Sequence, residues 1–244
     1  MTKIESLAKI IEESKRIVFF GGAGVSTESG VKDYRSKDGL YNTVKQYGVS
    51  PEVILSRSFF EENPEIFYDF YRNYFIINAE PNAAHFALAR LEKEGKLSAV
   101  ITQNIDRLHQ KAGSRNVIEL HGTTSEFFCH SCKRVADADK TNKIIGAREV
   151  PRCPECGGVI RPKVVMYEEQ LYPGAFESAI EKITDADTLI VGGTSLAVYP
   201  ANSLIRFFGG DNFVIINQTE TQFDNEATLV IRERIGETFE KMIK

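Results

Sequence analysis

The sequence lacks several features that would each indicate a class of protein. No apolar run in its 244 residues approaches the roughly 20 residues that a membrane-spanning helix needs, so we expect no membrane segment. An excess of positive charge is also missing, because 34 acidic residues outnumber 30 basic ones and the net charge is −4. A nucleic-acid partner is therefore not expected. The amphipathic stretch 1–16 contains acidic residues and no small-residue cleavage site, which favours a cytoplasmic protein over a secreted one.

Cysteine is absent outside one short stretch, where it forms the pairs Cys129-x-x-Cys132 and Cys153-x-x-Cys156. Each pair can form a sharp turn that aims two thiolates at one tetrahedral ion, and the spacing is typical of four-cysteine zinc sites. Two disulfides, or thiols buried by chance, are the alternatives, and a cytoplasmic setting disfavours the disulfides. Four thiolates leave no open position on the metal, so such a zinc ion would be structural.

Strand and helix patterns alternate along the rest of the chain. Short, almost wholly apolar runs lie at 17–20, 97–102, 117–120, 188–191 and 213–216. Helical patterns lie at 2–14, 82–95, 174–184 and 200–208, and an aromatic-rich helical stretch covers 50–78. Near-continuous apolar strands are typical of a parallel sheet that helices cover on both faces. The sequence therefore predicts an α/β, doubly wound, Rossmann-like domain, with a helical module and a zinc-binding module inserted in it.

Polar turns follow all five predicted strands. They are 21–30, 102–109, 119–123, 192–196 and the asparagine at 217. Because ligands bind at the carboxyl ends of parallel strands, these turns should converge on one crevice. Glycines in the first turn would let backbone N–H groups approach a pyrophosphate. Taken singly the signals are weaker, since Asn104 with Asp106 could be a helix cap and a lone His121 favours a structural role.

Taken together, the motifs resemble those of the sirtuin (Sir2-like) family. GAGVSTESGVKDYR, TQNID, ELHGT, the two cysteine pairs, IRPKVVMYEE, GTSLAVYP and IIN occur in that family's order. The chain resembles the compact bacterial members from end to end. The resemblance implies NAD-dependent removal of acyl groups, acetyl among them, from protein lysines, with nicotinamide and 2′-O-acyl-ADP-ribose as products. It also implies NAD as co-substrate, one structural zinc per chain and acetylated-lysine proteins as substrates; we expect a monomer.

The resemblance also divides the chain into parts of one catalytic unit, 1–244. The NAD-binding Rossmann-like domain would comprise 1–35, 80–125 and 160–244. A helical module with the lid over NAD would cover 36–79, and the zinc module would cover 126–159. The substrate peptide would lie between the domains as an added strand, paired with the segment that contains Val164, Val165 and Tyr167.

Site residues follow from the same resemblance. The predicted NAD contacts are Ala23, Gly24, Thr27, Asp33, Tyr34, Arg35, Gln103, Asn104, Ile105, Asp106, His121, Gly193, Thr194, Ser195, Asn217 and Ile231. Within this set, Asn104 and Asp106 resemble the pair that binds nicotinamide and its ribose, and we expect Asn104 to be catalytic. His121 matches the general base that activates a ribose hydroxyl. An unperturbed pKa of about 6.5 suits histidine to proton transfer at neutral pH.

Several positions depart from the family pattern. Lys32 replaces a proline and Gly21 a threonine, while Arg107 stands where the family has a glycine. If that glycine needs a positive φ, an arginine is strained there. Lys163 and Glu168 change the charge beside the peptide cleft. None of these changes removes a group with a direct chemical role, so activity is still expected.

Two further expectations concern the reaction. Mono-ADP-ribosyl transfer to a protein and a non-enzymatic NAD or ADP-ribose sensor are the alternatives to deacylation. Sirtuins that prefer succinyl or malonyl lysine resemble one another in a Tyr-x-x-Arg element, where this chain aligns Tyr71 with Tyr74. Arg72 should point about 100° away from Tyr71 on a helix. The sequence therefore predicts a preference for neutral acyl groups, acetyl among them, over succinyl.

Overall fold

A six-stranded parallel sheet forms the centre of the molecule. The computed structural model describes residues 1–33, 44–76 and 78–243. The strands are β1 (Ile17–Gly21), β2 (Leu97–Thr102), β3 (Val117–Glu119), β4 (Gly122–Cys129), β5 (Val135–Ala136), β6 (Ile160–Val164), β7 (Thr188–Gly192), β8 (Asn212–Ile216) and β9 (Leu229–Ile231). The helices are α1 (Lys3–Glu13), α2 (Val44–Tyr47), α3 (Pro51–Ile54), α4 (Arg57–Glu62), α5 (Pro64–Tyr74), α6 (Ala83–Lys93), α7 (Leu108–Lys111), α8 (Ala138–Gly146), α9 (Ala175–Thr184) and α10 (Ile235–Ile243).

The strand order of the large sheet is β3-β2-β1-β7-β8-β9, and every neighbouring pair is parallel. The chain runs outward from β1 through β2 to β3 and then returns to place β7 on the other side of β1. In sheets of this kind the ligand crevice opens where the order reverses, at the carboxyl ends of the strands. Gly21 pairs with Thr102 on one side and Gly192 on the other, so these strand ends stand level. The predicted doubly wound fold is confirmed.

Both faces of the sheet are buried, as the apolar runs predicted. Ile17 and Phe19 of β1 pack into a core cluster with α1, α6 and α10. Val18 and Phe20 point to the opposite face and pack with α9. Successive side chains of a strand alternate between its faces, so one five-residue strand without a polar side chain can serve both clusters.

The two inserted regions share a third core. β5, β4 and β6 form an antiparallel sheet in that order, and α8 follows β5. Aromatic residues of α4 and α5 pack against this sheet, among them Phe60, Phe67 and Tyr68, which join Phe127 and Ile160 in one buried cluster. The small sheet runs from 122 to 164, so it extends past 126–159 at both ends. The module boundaries stay a prediction.

Some elements differ from the sequence-based expectations. The pattern at 200–208 is a 3-10 helix, Ala201–Phe207, because hydrophobic spacing over seven residues does not separate three residues per turn from 3.6. The strands β4, β5, β6 and β9 were not predicted, since most are short or carry charged side chains. Among the described residues, no helix is both long and apolar enough to cross a bilayer.

Candidate active site

Two glycine turns meet where the strand order reverses. The N–H of Gly24 donates to the carbonyl of Gly193 over 2.8 Å, and the N–H of Gly22 donates to Gly192 over 3.3 Å. A Cβ on Gly24 would lie 2.7 Å from the Cα of Gly193, and one on Gly193 would lie 2.4 Å from the nitrogen of Val25. Such distances are far inside van der Waals contact, so only glycine permits this approach. The floor of the crevice is therefore bare backbone.

The described segment after β1, residues 22–33, contains two 3-10 turns and no α-helix. Ala23 and Gly24 lie in the first turn, and Thr27 begins the second, where its hydroxyl donates to the Gly24 carbonyl over 3.0 Å. A dinucleotide fold usually places a helix N-terminus under the pyrophosphate, and its positive end attracts the anion. Since residues 22–33 contain no such helix, backbone N–H groups of these turns would have to bind the phosphates.

Ser26 links the first turn to the segment after β2. Its hydroxyl donates to Oδ2 of Asp106 over 2.7 Å and accepts from the Asn104 side-chain amide over 3.0 Å. The other oxygen of Asp106 accepts from the Leu108 N–H over 3.0 Å. Ser26 is fully buried, although the glycine-rich motif assigned it no role. The linking role of Ser26 is visible only in the folded structure, because its two hydrogen-bond partners lie about 80 residues away in the chain.

Gln103 joins three parts of the site. Its carbonyl hydrogen-bonds Nδ1 of His121 over 2.9 Å, and its side-chain Oε1 accepts from the Thr194 hydroxyl over 3.1 Å. Burial lowers the pKa of His121, and the hydrogen bond to the Gln103 carbonyl opposes that shift. Since a carbonyl can only accept, Nδ1 carries the proton and Nε2 keeps its lone pair. The imidazole is thereby fixed in the tautomer that a base at Nε2 requires.

An unpaired donor in the same place tests whether NAD fits. Nε2 of Gln103 is buried and finds no hydrogen-bond partner among residues 1–33, 44–76 and 78–243. A buried amide N–H without a partner costs about 1–3 kcal/mol, so a partner from a ligand is favoured. A ribose hydroxyl oxygen can accept such a bond. The residues present therefore fit the predicted co-substrate.

The predicted adenosine contacts lie at the ends of β7, β8 and β9. Thr194 and Ser195 follow β7, and Asn217 follows β8, where its N–H donates to the carbonyl of Ile231 over 3.0 Å. Ile231 is 2% exposed and belongs to the core cluster below the sheet. It offers little area for stacking against adenine, and its contact with NAD stays a prediction.

Three predicted NAD contacts, Asp33, Tyr34 and Arg35, lie at or beyond the end of the first described range. Asp33 is the last described residue before position 44. Tyr34 and Arg35 lie outside the described residues, so their predicted contacts with NAD remain predictions. Ile105 lies between Asn104 and Asp106, and its carbonyl accepts from the Thr124 hydroxyl over 2.9 Å.

The predicted substrate segment begins beside His121. The N–H of Val165 donates to the carbonyl of His121 over 2.9 Å, directly after Val164, which ends β6. Tyr167 is bound through its backbone to the helical module, since its N–H donates to Leu55 over 3.0 Å and its carbonyl accepts from Arg57 over 3.1 Å. Its side chain is 45% exposed. Pairing with a peptide would therefore use other backbone groups of this segment.

A buried ion pair holds the turn that follows β6. Arg161 is 1% exposed and donates from Nη1 and Nη2 to the two carboxylate oxygens of Glu169, over 2.5 and 2.8 Å. It also donates to the Val164 carbonyl over 2.6 Å. Burial would raise the pKa of Glu169, but hydrogen bonds from Arg161 and the Met166 N–H outweigh it and lower the pKa. In the sequence, Arg161 and Glu169 appear only as members of the IRPKVVMYEE motif, which gives no sign that they form an ion pair.

Two departures from the family pattern occupy left-handed backbone. Arg107 has φ 62° and Glu168 has φ 74°. The conditional prediction for Arg107 is therefore met, because a side chain there strains the backbone. Glu168 gains contacts, since its oxygens accept from the Ser58 N–H over 2.9 Å and the Ser58 hydroxyl over 2.8 Å. Lys163 pairs with Glu126 over 2.8 Å at the surface.

The four cysteines converge as predicted. All four Sγ atoms lie within 4.8 Å of one another, with 3.5 Å between Cys129 and Cys156 and 3.8 Å between Cys132 and Cys153. Sulfur atoms about 2.3 Å from a tetrahedral zinc ion lie about 3.8 Å apart, which these separations match. Disulfide sulfurs would be about 2.05 Å apart, so the disulfide alternative is wrong.

Comparison with known proteins agrees with this geometry. The model of the Sir2 family matches residues 22–200. The NAD-dependent protein deacetylase of Clostridium acetobutylicum is 50% identical over 244 residues, covering 100% of this chain and 99% of that protein. A Sir2 structure with a p53 peptide and NAD⁺ has a TM-score of 0.87 at 38% identity, covering 100% of this chain and 98% of the other.

A further Sir2 structure holds the inhibitor EX-527, 2′-O-acetyl-ADP-ribose and a deacetylated p53 peptide. It has a TM-score of 0.84 at 37% identity and covers 98% of this chain and 97% of its own. The likeness therefore spans the sheet, the glycine crevice and the inserted modules together. With the crevice at the reversal of strand order and the four-cysteine cluster in place, this chain belongs to the Sir2 family.

Proposed function

We propose that this chain removes acetyl groups from protein lysines in an NAD-dependent reaction that releases nicotinamide and 2′-O-acetyl-ADP-ribose. Relatives called NAD-dependent protein deacetylase, whose sequences are about 50% identical to this chain over nearly its whole length, support the proposal. The observation that carries it is the position of His121. Its ring is held by Gln103 at the crevice, and its carbonyl accepts from Val165 in the predicted peptide segment. One residue thus adjoins both substrates.

His121 acts as the general base in this proposal. The lowered pKa keeps its imidazole neutral at pH 7, as a base requires. After the acyl oxygen has displaced nicotinamide from the ribose, Nε2 would take a proton from a ribose hydroxyl. That hydroxyl oxygen could then bond to the acyl carbon and, with one water, release the free lysine amine. The Gln103 carbonyl holds the Nδ1 proton and stabilises the imidazolium that forms. A general base of this kind contributes about 10²–10⁴-fold to the rate.

The nicotinamide half of NAD would be oriented by Asn104 and Asp106, which Ser26 holds in place. When bound, NAD supplies the glycosidic bond that breaks. The Ser26 hydroxyl fixes the Asn104 amide and one Asp106 oxygen relative to each other. Such fixed dipoles and charges orient a ligand without having to reorganise when it reacts. Asn104 would contact the reacting sugar, and Asp106 would orient nicotinamide and its ribose.

One zinc ion would be held by Cys129, Cys132, Cys153 and Cys156 and would stabilise the small sheet. Four sulfur ligands complete its coordination, so it takes no part in the reaction. We also propose that the enzyme acts as a monomer on acetylated-lysine proteins without a nucleic-acid partner. Its net charge of −4 gives no cationic surface excess for binding a phosphate backbone.

His121→Ala tests the proposed activity. The variant should keep zinc and fold yet lose about 10²–10⁴-fold in kcat/KM for an acetyl-lysine peptide. His130→Ala, on the zinc module beside Glu61, is the matched control and should retain activity. Mass spectrometry of nicotinamide, peptide and sugar products separates deacetylation from ADP-ribosyl transfer. A loss below about threefold for His121→Ala would remove His121 from the base role.

The acyl preference is also a proposal, for neutral groups over succinyl. Tyr71 is 3% exposed, and Arg72 forms an ion pair with Asp69 over 3.2 Å while 16% exposed. The positive charge nearest Tyr71 in sequence is therefore already paired. A succinyl carboxylate in a tunnel would need a free cation to replace its water. Besides Arg72 and Arg107, Lys32 is a candidate cation, since its Nζ lies 5.7 Å from the centre of the Tyr74 ring.

Matched acetyl and succinyl peptides test this preference through kcat/KM. We expect at least about tenfold better efficiency on acetyl-lysine, because an unpaired buried carboxylate costs several kcal/mol. Equal efficiency on the two peptides would contradict the proposal. Lys32→Met and Arg72→Met would then test two candidate cations, since each variant removes one positive charge.

A further inference from the structure

We propose that Glu28 and Asn82 are positioning residues that hold the NAD-binding turn, residues 23–30, against α10 and α6. This inference rests on the proposed function, because it concerns how the same turn receives NAD. Neither residue was a predicted NAD contact. Each belongs to a hydrogen-bond set that ties the turn to the N-terminal end of a long helix, Glu28 to α10 and Asn82 to α6.

Glu28 binds the first turn of α10. Its Oε2 accepts from the Gly236 N–H over 2.7 Å, and its Oε1 accepts from the Glu237 N–H over 3.2 Å. These two N–H groups have no partner within the helix, and the helix dipole favours a negative charge there. A Cβ on Gly236 would lie 2.7 Å from the Glu28 carboxylate, so glycine leaves the space that this contact needs.

Asn82 binds the same turn from α6. Its side-chain amide donates to the Val25 carbonyl over 2.8 Å and to the Ser29 hydroxyl over 3.0 Å. Its side-chain oxygen accepts from the Ala84 N–H over 3.0 Å and thereby caps α6. The side-chain oxygen of Asn82 therefore caps the helix, while its side-chain nitrogen donates to the turn.

The hydrogen bonds of Asn82 and Glu28 hold the chain on both sides of Ser26, whose hydroxyl is bonded to Asn104 and Asp106. Val25 precedes Ser26, and Ser29 and Glu28 follow it, so the turn is held on both sides of that hydroxyl. α6 and α10 share one core cluster, which makes them a common support. If the turn is already fixed in its binding conformation, NAD does not have to order it on binding. The apparent affinity for NAD is then not reduced by a cost of ordering the turn. Loss of either set should weaken NAD binding and leave peptide binding unchanged.

Substitutions can separate this role from simple stability. Asn82→Asp keeps the oxygen that caps α6 but replaces the two-proton donor that holds the turn. Gly236→Ala leaves Glu28 in the sequence and displaces its carboxylate, while alanine favours helix. Glu28→Ala removes the contact outright. Glu237→Gln is the matched control, because it removes one negative charge at the same helix end without removing a contact to the turn.

The experiment measures the Kd of NAD and of ADP-ribose by calorimetry, with the KM of the acetyl-lysine peptide and zinc content as companions. Glu28→Ala, Asn82→Asp and Gly236→Ala should each weaken NAD about tenfold, with peptide KM within about twofold and Glu237→Gln like wild type. A Kd within about twofold of wild type for Glu28→Ala and Asn82→Asp overturns the inference. If wild type binds no NAD, the proposed function fails instead. If Glu28→Ala does not fold, the Kd of NAD for Gly236→Ala tests the role of Glu28 instead.

Discussion

Acidification should destabilise this protein through a buried pair of histidines, His85 on α6 and His109 on α7. Their ring centres lie 4.7 Å apart, and the residues are 0% and 1% exposed. Burial, with a smaller effect of neighbouring His85, lowers the pKa of His109 to about 3. Burial lowers the pKa of His85 to about 4, against a smaller opposing effect of Asp106. Both rings therefore stay neutral in the fold where an unfolded chain would bind protons.

The size of the effect follows from proton linkage. Each histidine of the unfolded chain titrates at about pH 6.5, so the stability from the neutral pair is fully present above that pH. It is lost as the pH falls from there toward the folded values of about 3 and about 4. At about 1.4 kcal/mol per pH unit, each histidine lowers the free energy of unfolding by about 2 kcal/mol between pH 7 and pH 5. The pair together gives about 4 kcal/mol, a large part of the about 5–15 kcal/mol of a typical domain.

Urea titrations of wild type and His109→Phe at pH 8, 7, 6 and 5 test this reasoning. Phenylalanine keeps an aromatic ring beside Phe19, whose ring centre lies 6.1 Å from that of His109. Between pH 7 and pH 5 the variant should lose about 2 kcal/mol less than wild type. The comparison at pH 8 isolates the packing cost of the larger ring, and zinc content measured at each pH detects unequal metal loss. Parallel pH profiles of the two proteins would refute the assignment.

Two further predictions concern backbone strain and zinc. Arg107→Gly should raise the free energy of unfolding by about 0.5–1 kcal/mol, because glycine relieves left-handed backbone strain. Arg107→Gly loses one exposed hydrogen bond, to Ser125, whereas Glu168→Gly relieves the same strain but loses two hydrogen bonds with Ser58. A gain from Glu168→Gly equal to that from Arg107→Gly in urea titrations would contradict this account. Freshly purified, reduced protein should hold about one zinc per chain, and chelation should lower both its thermal midpoint and, through loss of structure, its activity. Less than about half an equivalent by metal analysis would count against the four-cysteine site.

Local pattern predicted the features that short stretches of chain control. The apolar runs predicted β1, β2, β7 and β8 because a strand buried on both faces must be apolar throughout. The Cys-x-x-Cys spacing predicted one metal cluster because each pair needs only its own turn to aim two thiolates. The order of the motifs predicted the family and, with it, His121 as a base. These inferences required no knowledge of which strand lies beside which.

Tertiary structure alone decided the contacts that join distant segments. Glu28 meets the α10 N-terminus 208 positions later in the chain, and Ser26 meets Asp106 across 80 positions. His85 and His109 become a buried pair only because α6 and α7 pack together. A glutamate, a serine or a histidine has the same local preferences whether or not such a partner exists. Its role here depends on strand order and helix packing, which bring its partner close through the combined burial of many residues.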